Sequence, residues 1–177
     1  MSDIFKQGKL VDSGEGRLLD YDGETIRWSE SIVVMGKHVY ACPRFGRLLE
    51  FDSRFEMECY ASTFLGLLSD GIITVPYLKP QYYWMKPLRR DGRNRSMARR
   101  RYTSDFSGIV TGDHTLFDQK GNELGVVWDG EPLVIEVKGY YRPIDRMKIQ
   151  GWATAHPSHN LLMLHQSKDW ELFEAVR

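Results

Sequence analysis

A chain of 177 residues with 42% hydrophobic content can bury one sizeable core, so one domain is expected, or one domain with an N-terminal elaboration. No apolar run reaches the length of a membrane span, the N-terminus Met-Ser-Asp-Ile-Phe-Lys lacks an apolar leader region, and Cys42 and Cys59 have no metal-type spacing. A cytoplasmic protein with reduced thiols and no membrane partner is the expectation; the formal net charge of zero excludes a uniformly basic surface.

Residues 1–48 are expected to form a β-rich extension ahead of a domain spanning 49–177. Tyr21-Asp22-Gly23-Glu24 carries the Asp-Gly of a tight hairpin between Arg17–Asp20 and Thr25–Trp28. Gly36-Lys37 plays the same part between Ile32–Met35 and His38–Ala41. This extension holds no catalytic constellation. A helical pattern then runs from Ser53 to about Ser69 and stops at Asp70-Gly71. Ser53 followed by Glu56 is a capping box, with Phe55, Cys59, Leu65 and Leu68 on or near the inner face. Glu56 therefore has two readings, cap partner or site carboxylate, and the residues alone favour the cap.

Ile72–Val75 reads as a strand, and Tyr77–Trp84 as a second extended segment interrupted by Pro80. Tyr82, Tyr83 and Trp84 could stack on bases, but such a run more often packs on a sheet. Next come Lys86, Arg89, Arg90, Arg93, Arg95, Arg99, Arg100 and Arg101, against Asp91 alone. The rest of the chain keeps 16 basic and 23 acidic residues, a net of −7. Such segregation makes a local field that attracts phosphates, and the arginine fork suits them. A solvated charged loop is the plainer alternative.

Phe106–Val110, Thr115–Phe117 and Leu124–Trp128 read as strands with turns between them. They lead to Leu133-Val134-Ile135-Glu136-Val137-Lys138-Gly139, whose apolar density suits an inner strand covered on both faces. Alternation puts Val134, Glu136 and Lys138 on one face. Ile144–Ala155 reads as a helix whose first turns offer Arg146, Lys148 and Gln150 to phosphate, and Asn160–His165 as another strand. The tail from Ser167 does not separate helix from strand. His114, His159 and His165 stand singly, which argues against zinc.

Buried charges must be paired or bound to a metal, so Glu136 beside Lys138 is a costly arrangement. An ion pair at a strand end is the simple account. Asp105, which opens the run Phe106–Val110, adds a second carboxylate. Two carboxylates can hold a hard divalent cation that also meets a phosphate oxygen and acidifies a bound water. A lysine whose pKa is depressed by burial and metal can orient that water or help deprotonate it.

Asp105 with Glu136-x-Lys138 resembles the site of the PD-(D/E)xK nucleases. Ser53-Arg54-Phe55-Glu56, Tyr102-Thr103-Ser104-Asp105-Phe106 and Glu136-Val137-Lys138-Gly139 resemble the phage endonuclease I type of Holliday-junction resolvase within that superfamily. Asp145-Arg146 and His156-Pro157 fall at similar spacings, and the likeness covers about residues 49–166. It implies an α/β, restriction-endonuclease-like fold, a mixed central sheet flanked by helices. It also implies Asp105, Glu136 and Glu56 as ligands of Mg²⁺ or Mn²⁺, and Lys138 as the water-positioning base. The expected activity is structure-selective cleavage of branched DNA, by a homodimer or within a larger nucleoprotein complex. Ser104 stands where that family usually has proline, a long insertion separates Asp105 from Glu136, and residues 1–48 have no counterpart in it. Leu48-Leu49-Glu50-Phe51-Asp52 and Arg100-Arg101-Tyr102-Thr103 also resemble TnsA-like transposon end-cleaving nucleases. A silent nuclease fold that only binds DNA is a third reading, against which the intact Asp105, Glu136 and Lys138 stand.

Overall fold

The computed structural model describes residues 5–6, 9–12, 17–21, 24–27, 31–34, 36–42, 44, 47–83, 101–140 and 142–176. Its contacts divide into two units, Met1–Ala61 and Ser62–Arg177. The division read from sequence stood before residue 49.

The first unit is a set of antiparallel hairpins. Its strands are β1 (Phe5–Lys6), β2 (Lys9–Asp12), β3 (Arg17–Tyr21), β4 (Glu24–Arg27), β5 (Ser31–Val34), β6 (Lys37–Cys42) and β7 (Arg47–Phe51). They form two sheets, β1-β7-β6-β5 and β2-β3-β4. Both hairpins form: Tyr21 pairs with Glu24 across Asp-Gly as expected, whereas Val34 pairs with Lys37, which puts Lys37 in the strand and not in the expected Gly36-Lys37 turn, with Gly36 at a left-handed φ of +77°. Helix α1 (Arg54–Cys59) packs on β6 and β7, where Val39, Ala41, Leu48, Leu49 and Phe51 are buried. Tyr60 sets its ring against Tyr40 and Phe51, and Cys42 and Cys59 are buried and not joined in a disulfide. After α1 come a π-helical stretch, Tyr60–Phe64, and α2 (Leu65–Ser69). The stop at Asp70-Gly71 is observed, with Gly71 at φ +73°.

The second unit is mixed α/β. Its strands are β8 (Ile73–Leu78), β9 (Gln81–Tyr83), β10 (Arg101–Thr103), β11 (Phe106–Val110), β12 (His114–Phe117), β13 (Glu123–Val127), β14 (Pro132–Lys138), β15 (Asn160–His165) and β16 (Glu171–Phe173). Five of them make one sheet in the order β16-β15-β14-β11-β8. β14 and β15 run parallel, joined through α3 (Pro143–Ala155); the other neighbours are antiparallel. β14 is the middle strand and Leu133 to Val137 are buried, as its apolar density demands. On one face Val134, Leu161 and Met163 pack with Tyr102 and with Ile149 and Trp152 of α3. On the other, Phe106 lies across from Ile135 and stacks on Phe64 at 5.1 Å.

Two expectations change. Ile72–Val75 and Tyr77–Trp84 are not separate segments, because β8 continues through Pro76 to Leu78. An edge strand tolerates proline, and β8 is the edge. The undecided tail supplies β16, the opposite edge. Among the described residues no helix is long and apolar enough to cross a membrane.

Candidate active site

The site is built where β14 ends. Glu136 and Lys138 follow Val134 on the face that α3 covers, so Glu136 is buried and Lys138 half-buried. Asp105 sits just before β11, and the register Phe106↔Ile135 sets it across from Glu136. The backbone N–H of Val137 donates to Asp105 Oδ2 at 2.8 Å, tying one carboxylate to the strand that bears the other. Lys79 Nζ donates to Asp105 Oδ1 at 2.6 Å. Glu136 Oε2 accepts from the Tyr102 hydroxyl at 2.6 Å, and Oε1 pairs with Lys138.

Burial is the main force on Glu136. Loss of water, then the charge of Asp105, push its carboxyl up to about 7, against the opposite pull of Lys138 and Tyr102. For Lys138, burial works to lower the ammonium, but the carboxylates of Glu136, Asp105 and Asp145 outweigh it and the pKa is raised. The sequence expectation was a lysine depressed by burial and a bound metal together; burial does pull it down, and the neighbouring carboxylates outweigh that pull, so Lys138 stands as an ammonium hydrogen-bond donor.

A pocket of about 220 Å³ opens here, lined by Tyr102, Glu136, Lys138, Asp145 and Lys148 among others. Asp145 is the N3 residue of α3, after Pro143 at N1. Its carboxylate accepts from the Arg142 backbone N–H at 3.2 Å and from Nε at 2.9 Å, bonds that hold it below the usual carboxylate range. A larger cleft of about 500 Å³ lies around Asp118, Lys120, His165 and Trp170, but none of Asp105, Glu136 or Lys138 lines it. Glu136 and Lys138 line the smaller pocket, and Asp105 lines neither.

Lys79 and Pro80 clamp the approach to Asp105. The Lys79 backbone N–H donates to the Asp105 carbonyl at 2.8 Å, and the Ser104 N–H donates to the Pro80 carbonyl at 3.2 Å. A proline at position 104 could not make that second bond, so Ser104 has a local reason to depart from the resembled pattern. Lys79 itself takes a left-handed φ of +50°.

Asp105, Glu136 and Lys138 are thus brought together. Glu56 lies in the first unit, buried at N3 of α1, and its backbone N–H donates to Ser53 Oγ at 3.1 Å, as the cap requires. Lys86, Arg89, Arg90, Arg93, Arg95, Arg99 and Arg100 lie outside the described residues, and Arg101 opens β10. Arg146 and Lys148 are exposed on α3, with Lys148 at the pocket. Tyr82 meets Trp152, His156 and His159 edge-on, which is packing; Trp84 is outside the described residues.

Sequence reasoning missed Lys79, Tyr102 and Asp145 as site residues. Asp145 carried a signal, a proline at N1 followed by an acid at N3. Lys79 carried none, since a Lys-Pro after an edge strand has no pattern that points across the sheet. Among the described residues no group of three or more His, Cys, Asp and Glu side chains gathers to hold a metal. Comparison with protein-family models, with curated proteins and with solved structures found no match for this chain.

Proposed function

We propose that this protein is a metal-dependent DNA endonuclease of the PD-(D/E)xK type, whose second unit is a restriction-endonuclease-like sheet flanked by helices. One observation carries the reading. Asp105, just ahead of a neighbouring strand, accepts from the backbone N–H between Glu136 and Lys138, so two carboxylates and an amine converge at one sheet end.

That donor set fits Mg²⁺ or Mn²⁺. Hard cations take oxygen ligands, and Mg²⁺ commonly uses one or two carboxylates while keeping several waters. Asp105 and Glu136 would hold the ion, and a cation would offset both the burial and the Asp105 charge that raise Glu136. When bound, it would supply charge to a phosphate oxygen and acidify a water. Lys138, as an ammonium donor beside Glu136, would orient that water toward phosphorus. Tyr102 keeps Glu136 facing the pocket by its 2.6 Å bond. Glu56 belongs to the ligand set by resemblance, and selectivity for branched DNA rests on the same likeness.

The test is cleavage of linear duplex, flap and four-way junction by purified protein, with and without Mg²⁺. Asp105→Asn and Glu136→Gln should each lower Mg²⁺-dependent cleavage by about a hundredfold or more. DNA binding should survive, because both carboxylates repel phosphate until metal is present. Near wild-type cleavage by either variant would overturn the reading.

A further inference from the structure

Lys79 is the strongest feature that the nuclease reading does not use. Its ammonium bonds Asp105 Oδ1 at 2.6 Å, on the carboxylate that is to hold the metal. Lys138 pairs with Glu136 in the same way, so each of the two proposed ligand carboxylates already has an ammonium partner. The two lysines are not equivalent. Lys138 is carried by the central strand β14, whereas Lys79 follows the edge strand β8. The Lys79 side chain keeps 28% of its surface in solvent, so it can leave Asp105 and stay hydrated. Its backbone also takes a left-handed φ of +50°, uncommon for a residue other than glycine.

We infer that Lys79 is a stand-in cation: it holds Asp105 in the metal-free protein and must release Oδ1 when the divalent ion binds. This rests on the proposed metal site. Two positive charges cannot share one carboxylate in a partly buried site without strong repulsion, so lysine and metal compete for Asp105. Lys79 is therefore a positioning residue. It keeps the carboxylate oriented before metal arrives and sets the threshold of metal concentration at which the site fills.

The measurement is Mn²⁺ affinity of the purified full chain without DNA, read by calorimetry or by the electron-spin signal of free Mn²⁺. Lys79→Met, which removes the charge but keeps the bulk, should lower the Kd for Mn²⁺ about tenfold. Lys79→Asn should do the same, and asparagine tolerates the left-handed backbone, so it decides the matter if the methionine variant does not fold. Lys79→Arg keeps the ion pair and should bind Mn²⁺ like the wild type. Asp105→Asn separates the two levels. If it loses Mn²⁺ binding while both neutral Lys79 variants bind no tighter than wild type, Lys79 is only a brace and the inference falls alone. If Asp105→Asn binds Mn²⁺ as well as wild type, the metal site is wrong and the inference falls with it.

Discussion

Glu136 shows how a single side chain sets the pH behaviour of the whole site. Its carboxyl is raised to about 7 in the folded chain, first by burial and then by Asp105. The folded state therefore holds this proton more tightly than the unfolded chain does. The resulting stability is present in full below the ordinary carboxylate range, and it is lost as pH rises through about 7. Metal-free protein should accordingly lose melting temperature between about pH 4.5 and pH 7, and Glu136→Gln, which cannot ionise, should flatten that fall. Thermal melts across this range for both proteins check it. Equal slopes in the two would show that Glu136 ionises normally. Sequence made Glu136 and Lys138 conspicuous because both are charges on an apolar strand. It could not say that Tyr102 would donate to Glu136, since that bond depends on β10 reaching the α3-covered face.

Elements were legible where one physical signal dominated. β14 declared itself by apolar density, and the hairpins at Asp22-Gly23 and Gly36 by turn chemistry. β8 was misdivided because Pro76 looks like a break until one knows that its strand lies at an edge. α1 was legible through its cap, which is the role the structure shows for Glu56, while its ligand role is proposed on the resemblance alone. Its N–H donates to Ser53 Oγ, so Ser53→Ala should cost about 1 kcal/mol and lower the melting temperature by about 2–4 °C. Glutamine also serves at the N3 position, so Glu56→Gln should leave the melting temperature unchanged while cutting Mg²⁺-dependent cleavage strongly. Melts and cleavage assays on the same preparations separate the roles. Full cleavage by Glu56→Gln would leave it a cap and nothing more.

For the molecule as a whole, the decisive feature is a charge distribution that strand and helix patterns do not reveal. Eight basic residues fall between Lys86 and Arg101, while the remainder of the chain carries a net −7. β9 ends at Tyr83 and β10 begins at Arg101, and these two residues pair with each other. Both ends of the segment 84–100 are therefore anchored on the strand pair that contributes Tyr102 to the site. We propose that arginines of this segment contact DNA phosphates, contacts that orient a protein on DNA without reading its bases. Each phosphate neutralised releases counterions, giving a slope of about −0.9 in log affinity against log salt. Replacing Arg99, Arg100 and Arg101 by alanine should weaken binding to about the same extent on every sequence and flatten that slope by roughly 2–3 units, if all three touch phosphate. Binding titrations on two unrelated duplexes at several salt concentrations give both quantities at once. An unchanged slope with normal affinity would move the proposed DNA-binding surface to α3, where Arg146 and Lys148 are exposed and Lys148 lines the pocket.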